Sequence, residues 1–263
     1  MSELVLRVIT AAVLLPLAIW WIVFAPSPWF DWILGAVAVL GIAELITMLD
    51  IRGRRWFGLS ATLAVALLVA DVRPVPVLLL LSLLWLFLLI VYGGRDKTLF
   101  DTQMRQIVFG QWMMLWLLLF VWSLMQIHRH ADGNLFIIGA CLGVWASDIA
   151  AYFAGKRFGR RKLCPAISPG KTLEGLLAAL LLGVGVAAVA WIELLHLPTG
   201  IAVLLGIVLV CAGVMGDLAE SALKRSVGVK DSGRLLPGHG GLLDRIDALI
   251  PAIPAAGLIW ITL

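Results

Sequence analysis

Nine long apolar blocks, separated by short polar or proline-containing breaks, constrain this chain more than any other feature. A bilayer core needs about 20 apolar residues as a helix. On that ruler, candidate spans lie near 8–24, 28–49, 57–71, 75–93, 106–127, 134–155, 173–195, 200–223 and 243–262, the third of them short. Backbone polar groups cannot stay unpaired in lipid, so blocks of this length are helices rather than isolated strands. The chain is 62% hydrophobic and 14% charged, where a soluble domain is about half apolar and a quarter charged. The predicted class is an all-α integral membrane protein, a polytopic bundle of about nine transmembrane helices in a lipid bilayer.

Basic residues recur in alternating breaks. One holds Arg52, Arg54 and Arg55; the next Arg95, Lys97 and Arg105. Then come Lys156, Arg157, Arg160, Arg161, Lys162 and Lys171, and finally Lys224, Arg225, Lys230 and Arg234. The intervening loops hold only Arg73 and Arg129. By the positive-inside rule the N-terminus is cytoplasmic and the C-terminus outside. The net charge of +4 is therefore a topology signal, and no nucleic-acid partner is expected. The opening "MSELVLRVITAAVLLPLAIWWIVFA" lacks a convincing cleavage site and reads as a retained span. Trp20, Trp21, Trp29, Trp32 and Trp56 read as interfacial anchors. Cys141, Cys164 and Cys211 have no CxxC spacing, so neither a disulfide framework nor a thiolate zinc site is implied. Residues 1–130 are read as packing and assembly helices. Residues 131–263 are read as the catalytic region, with cytoplasmic loops 156–172 and 224–242.

Ionisable groups inside spans are costly and are functional candidates by default. Asp31 and Glu193 lie near span ends and read as interfacial. Glu44 is deeper and reads equally as a structural hydrogen-bonding group or a functional one. Asp148 and Tyr152 share a helix face at i, i+4 in "SDIAAYFAGKRFG". Asp217, Glu220, Ser221 and Lys224 form one polar stripe at i, i+3, i+4 and i+7. Asp217 precedes Arg225 by eight residues, about 12 Å along a helix. Asp244 and Asp247 open the last span; they read either as favourable first-turn acids or as part of a site. Carboxylates recessed beneath a rim of lysine and arginine suggest a divalent cation with a phosphate-rich ligand. "SPGKT" (168–172) imitates the end of a P-loop, but Pro165 stands where that motif requires glycine. Ser168 is then either a helix cap, with Glu174 in the first turn, or a phosphate contact beside Lys171 and Thr172.

The stretch "SALKRSVGVKDSGRLLPGHGGLLDRID" (221–247) resembles the signature of the phosphatidate cytidylyltransferase (CDP-diacylglycerol synthase) family. The likeness is carried by Ser221, Lys224, Arg225, Lys230, Asp231, Gly233, Pro237, His239, Gly240, Gly241, Asp244, Arg245 and Asp247. "GDLAES", "SDIAAYFAGKRFG" and "SPGKTLEG" resemble the family's earlier blocks, so the specific likeness covers about 140–250. One departure is Gly170, where the family usually has a lysine; this leaves Lys171 as the phosphate contact.

The resemblance implies transfer of CMP from CTP to phosphatidic acid, releasing pyrophosphate, with magnesium and room for a second cation such as potassium. Asp217 and Asp244 would hold metal, and Lys171, Lys224, Arg225, Lys230 and His239 would bind nucleotide and lipid phosphates. Ser168, Thr172 and Ser221 join them as substrate contacts, and Asp148 and Asp247 position substrate. A homodimer in a bacterial inner membrane, with its site on the cytoplasmic side, is also implied. The rival readings are a CTP-using enzyme of isoprenoid lipids and a transporter. The first sits poorly with the full signature. The second predicts carboxylates spread along the membrane normal rather than gathered near one face.

Overall fold

The computed structural model describes residues 3–49, 54–93, 97–236, 238 and 240–263. The apolar blocks are helices: α1 (Glu3–Phe24), α2 (Ser27–Met48), α3 (Arg54–Val69), α4 (Pro74–Gly93), α5 (Lys97–Arg129), α6 (Gly133–Phe158), α7 (Leu173–Leu195) and α8 (Thr199–Ser226). Among the described residues, five stretches are long and apolar enough to cross a membrane: Ser27–Met48, Val108–Arg129, Gly133–Phe158, Leu173–Leu195 and Thr199–Ser226. Four shorter apolar stretches accompany them: Ala12–Phe24, Arg55–Val69, Pro74–Leu88 and Leu249–Trp260. The polytopic, all-helical class holds, and the expected total of nine rests on those shorter helices as well.

Two local differences from expectation have clear causes. The last span is broken into α9 (Leu243–Ile246) and α10 (Leu249–Trp260). Pro251 has no N–H for the carbonyl of Asp247 four residues back, and its ring would crowd that oxygen, so the helix restarts after the turn. The Asp247 carboxylate accepts the Ala248 N–H at 2.8 Å inside that turn. The basic loop before α7 is not plain coil either. It forms an antiparallel hairpin of β1 (Lys162–Cys164) and β2 (Ser168–Thr172).

The chain divides into two compact units. The first comprises Met1–Pro16, Pro28–Trp122 and Leu223–Arg245; the second comprises Leu17–Ser27, Ser123–Ala222 and Ile246–Leu263. In the first, Trp85 of α4 is buried against Phe57 of α3, their ring centres 5.6 Å apart. The indole N–H of Trp85 donates to Ser60 Oγ at 2.9 Å, which satisfies its polar edge in an apolar core. In the second, α6 and α7 pack through small residues. A Cβ on Gly143 would lie 2.7 Å from Ala187 Cβ, and one on Gly183 would lie 2.6 Å from Ser147 Cβ. Such small-xxx-small seams let helices approach closely where no hydrophobic drive separates protein from lipid. Beyond the seam, Phe136 is stacked between Trp191 and Trp260, with centres 4.7 and 4.5 Å away. Trp20, Trp29, Trp32 and Trp56 are exposed, as interfacial anchors should be. Asp31 lies near the start of α2, at a span end as expected, and is buried there.

Candidate active site

The signature stretch folds around one carboxylate. Asp244, in α9, receives the Lys224 ammonium on Oδ1 at 2.6 Å. Its Oδ2 accepts the amide N–H groups of Ser232 and Gly241 at 2.8 and 2.9 Å. The Ser232 hydroxyl lies 3.0 Å from the same oxygen. The two side chains of the ion pair are only 12% and 7% exposed. Burial by itself would disfavour the charged carboxylate; the Lys224 ammonium and the amides of Gly241 and Ser232 offset that cost.

Glu44 resolves in favour of a connected role. It sits on α2, buried at 7% exposure. Its two oxygens accept the Leu242 and Leu243 amides at 2.9 and 3.0 Å. Those amides open α9, where a carboxylate meets orphan donors and the positive end of the backbone dipoles. The Ser232 hydroxyl is also 3.3 Å from Glu44 Oε2, so its single proton can serve Glu44 or Asp244 but not both at once. Ser232 was hidden from sequence reasoning because it occupies an unspecified position of the signature. Glu44 was a candidate from the sequence, but its partners were hidden because nothing local joins it to residues about two hundred positions later.

The glycines here serve space as much as backbone access. Gly240 has φ +85°, a conformation that side chains disfavour. A Cβ on Gly241 would collide with the Ser232 hydroxyl and come within 2.8 Å of Glu44 Oε2.

In the second unit Lys171, near the end of β2, meets Asp217 Oδ2 at 2.6 Å, with side chains 25% and 34% exposed. Ser221 Oγ donates to Asp217 Oδ1 at 3.4 Å, as the i, i+4 stripe on α8 predicts. Asp148 on α6 is close enough to feel the charges of both Asp217 and Lys171. Asp247 interacts with the fully buried Glu220 and with Asp217. Glu220 was recognised only as part of the stripe, and the structure draws it into this acidic neighbourhood.

The remaining residues are placed as follows. Ser168 lies on β2 and is not a helix cap; that position belongs to Thr172, whose hydroxyl accepts the Gly175 N–H at 3.1 Å. Glu174 accepts the amides of Arg160 and Arg161 at 3.1 and 3.2 Å instead of completing a capping box, and so pins the hairpin's base. Loss of the cap in Thr172→Ala should cost about 1 kcal/mol. Thermal unfolding in detergent should then show a lower midpoint, while Thr172→Ser keeps it; equal midpoints for all three proteins would remove the cap from the account. Arg225 is exposed and donates to the Val229 carbonyl at 3.4 Å, and Lys230 is exposed. His239 and Pro237 lie outside the described residues.

Among the described residues no three histidine, cysteine or acidic side chains converge as a ready metal cage. A hard divalent cation that keeps waters and substrate phosphates as ligands needs only one or two carboxylates. Taken separately, Asp217 of the second unit and Asp244 of the first each suit that role chemically, because each holds one cationic group at 2.6 Å through an oxygen.

Comparison with known proteins gives the family. The phosphatidate cytidylyltransferase of Pseudomonas aeruginosa is 39% identical over 266 residues, spanning 97% of this chain and 96% of its own length. That of Bacillus subtilis is 44% identical over 123 residues, 46% of each chain. The Staphylococcus epidermidis protein of the same name is 43% identical over 132 residues, covering 50% of this chain and 51% of its own. The sequence model of the cytidylyltransferase family matches residues 5–262, and the chain belongs to that family.

Proposed function

We infer that this protein transfers CMP from CTP to phosphatidate, giving CDP-diacylglycerol and pyrophosphate. The carrying observation is the end-to-end similarity to the Pseudomonas aeruginosa phosphatidate cytidylyltransferase, which takes in the whole signature stretch. In the reaction a phosphate oxygen of phosphatidate attacks the α-phosphorus of CTP. The bond from that phosphorus to the bridging oxygen of the β-phosphate breaks, and its electron pair leaves with pyrophosphate. The lipid phosphomonoester is already anionic, so no strong general base is required, and positioning with charge stabilisation supplies the catalysis.

Lys171, Lys224, Arg225, Lys230 and His239 are assigned to the phosphates, where charge-assisted donors act most strongly. Ser168, Thr172 and Ser221 are assigned beside them; the Thr172 hydroxyl accepts the Gly175 N–H and keeps its own proton to donate. Asp148 and Asp247 position substrate. Asp217 and Asp244 are the proposed magnesium ligands; magnesium bound there would neutralise charge developing on the departing pyrophosphate. A second cation such as potassium belongs to the same proposal and rests on the family resemblance. The basic loops support a cytoplasmic site and N-terminus in a bacterial plasma membrane. The homodimer rests on the family resemblance alone.

Purified protein given CTP, magnesium and phosphatidate should release pyrophosphate and form CDP-diacylglycerol, and EDTA should stop it. Retained turnover in EDTA would remove the metal assignment. Greater activity on an isoprenoid alcohol or its phosphate than on phosphatidate would transfer the enzyme to the rival substrate class.

A further inference from the structure

The flank of the α6–α7 pair carries a groove of about 620 Å³ that none of the assigned residues lines. On α6 its wall is Ala150, Phe153, Ala154 and Arg157, an i, i+3, i+4, i+7 stripe; Ala178, Leu181 and Leu182 of α7 face them. Both helices are long and apolar enough to cross a membrane, and an exposed apolar flank on such helices is one that lipid would cover. Leu181 is 81% exposed and Phe153 65% exposed, which no aqueous surface would favour. An apolar slot on such a face takes acyl chains.

The groove also has a polar end. Lys156 and Arg157, in the last turn of α6, line it and are exposed. Each cation is held over an exposed aromatic ring: the Lys156 ammonium 5.7 Å from the Tyr152 ring centre, the Arg157 guanidinium 5.7 Å from that of Phe158. At this range the ring face steadies a cation without neutralising it. No carboxylate among the described residues lies within ion-pair distance of either. Two fixed positive charges therefore stand at the headgroup end of a slot shaped for hydrocarbon.

We propose that this groove is a capture site for phosphatidate, separate from the residues that perform the transfer. Charge selects the occupant. A phosphomonoester carries about −1.5 to −2 charges at neutral pH, with three equivalent acceptor oxygens. The diester of an ordinary anionic phospholipid carries a single charge. Lys156 and Arg157 together match the monoester, with Arg157 able to present two parallel N–H groups. The proposal rests on the phosphatidate reading above, and it gives the basic residues of this loop a task beyond setting topology.

The test is binding first and kinetics second. Protein in phosphatidylcholine nanodiscs doped with phosphatidate or with phosphatidylglycerol is released for native mass spectrometry, without CTP. Phosphatidate should stay bound to the wild-type protein and be lost from Lys156→Ala/Arg157→Ala, with phosphatidylglycerol retained by neither. Ala178→Trp, which fills the slot and leaves both charges, should lose phosphatidate as well. In turnover the double variant should raise the KM for phosphatidate about tenfold, the loss of one or two charged hydrogen bonds, while the KM for CTP does not move. Undiminished phosphatidate retention in the double variant overturns the site, and so does equal retention of phosphatidylglycerol by the wild type. Because the binding arm needs no catalysis, a failure of the transferase reading appears separately, as absent turnover in the wild-type enzyme.

Discussion

Asp217→Asn and Asp244→Asn should each reduce turnover at least about a hundredfold, which corresponds to some 2.7 kcal/mol of lost transition-state stabilisation. The amide keeps the shape of the carboxylate and removes its charge, so the loss reports on the cation that charge would hold. The two variants should differ in stability. Asp217 is a third exposed in its pair with Lys171, so its replacement should scarcely change the melting temperature. Asp244 is almost fully buried against Lys224, and removing one partner of a buried pair is costly, about 3–5 kcal/mol in other proteins. Asp244→Asn should therefore melt lower while still folding at assay temperature. Activity is measured as pyrophosphate release across a magnesium titration, with thermal unfolding alongside. Wild-type turnover in either variant would remove that residue from the metal site.

The second large effect is expected at Glu44, which no signature marks. Glu44→Gln keeps an acceptor opposite only one of the Leu242 and Leu243 amides, because the two now bond to different oxygens. Its new NH₂ group faces a donor that previously had an acceptor. An unsatisfied buried donor costs about 1–3 kcal/mol, and the turn carrying Asp244 relaxes to avoid it. A displacement of about 1 Å at a reacting centre can cost a hundredfold, so kcat should fall about 10- to 100-fold. A role through positioning makes two further demands. Amide hydrogen exchange at Gly241, Leu242 and Leu243 should accelerate. Glu44→Gln combined with Ser232→Ala should cost less than the sum of the single changes, because both act on one network. Wild-type kcat in Glu44→Gln, or full additivity with Ser232→Ala, would reduce Glu44 to an ordinary packing residue.

The helices were legible because the bilayer imposes a length and a polarity on every crossing segment. The pairing of Ser221 with Asp217 was legible for a similar reason, since a single helix fixes i, i+4 neighbours. The broken last span was less so: hydropathy reads Leu243 to Leu263 as one block, and only Pro251 records the missing backbone bond. The hairpin at Lys162–Thr172 was obscured by its charge, which reads as solvated loop until Glu174 is seen to collect two of its amides. Pairing across long separations was not legible at all. Lys171 with Asp217, and Glu44 with Leu242 and Leu243, depend on tertiary packing that no local pattern encodes.

Synthesis gives the Glu44 network a timetable. Its partners lie 188, 198 and 199 residues further along the chain. At about 5–20 residues per second, a ribosome delivers them roughly 10–40 seconds after Glu44 itself. For that interval α2 carries an acidic side chain into the membrane without the amides that later satisfy it. The turn bearing Asp244, by contrast, finds its anchor already made, because α2 precedes it in the chain. A nascent chain arrested before Leu242 offers Glu44 neither of the amides that satisfy it in the folded protein.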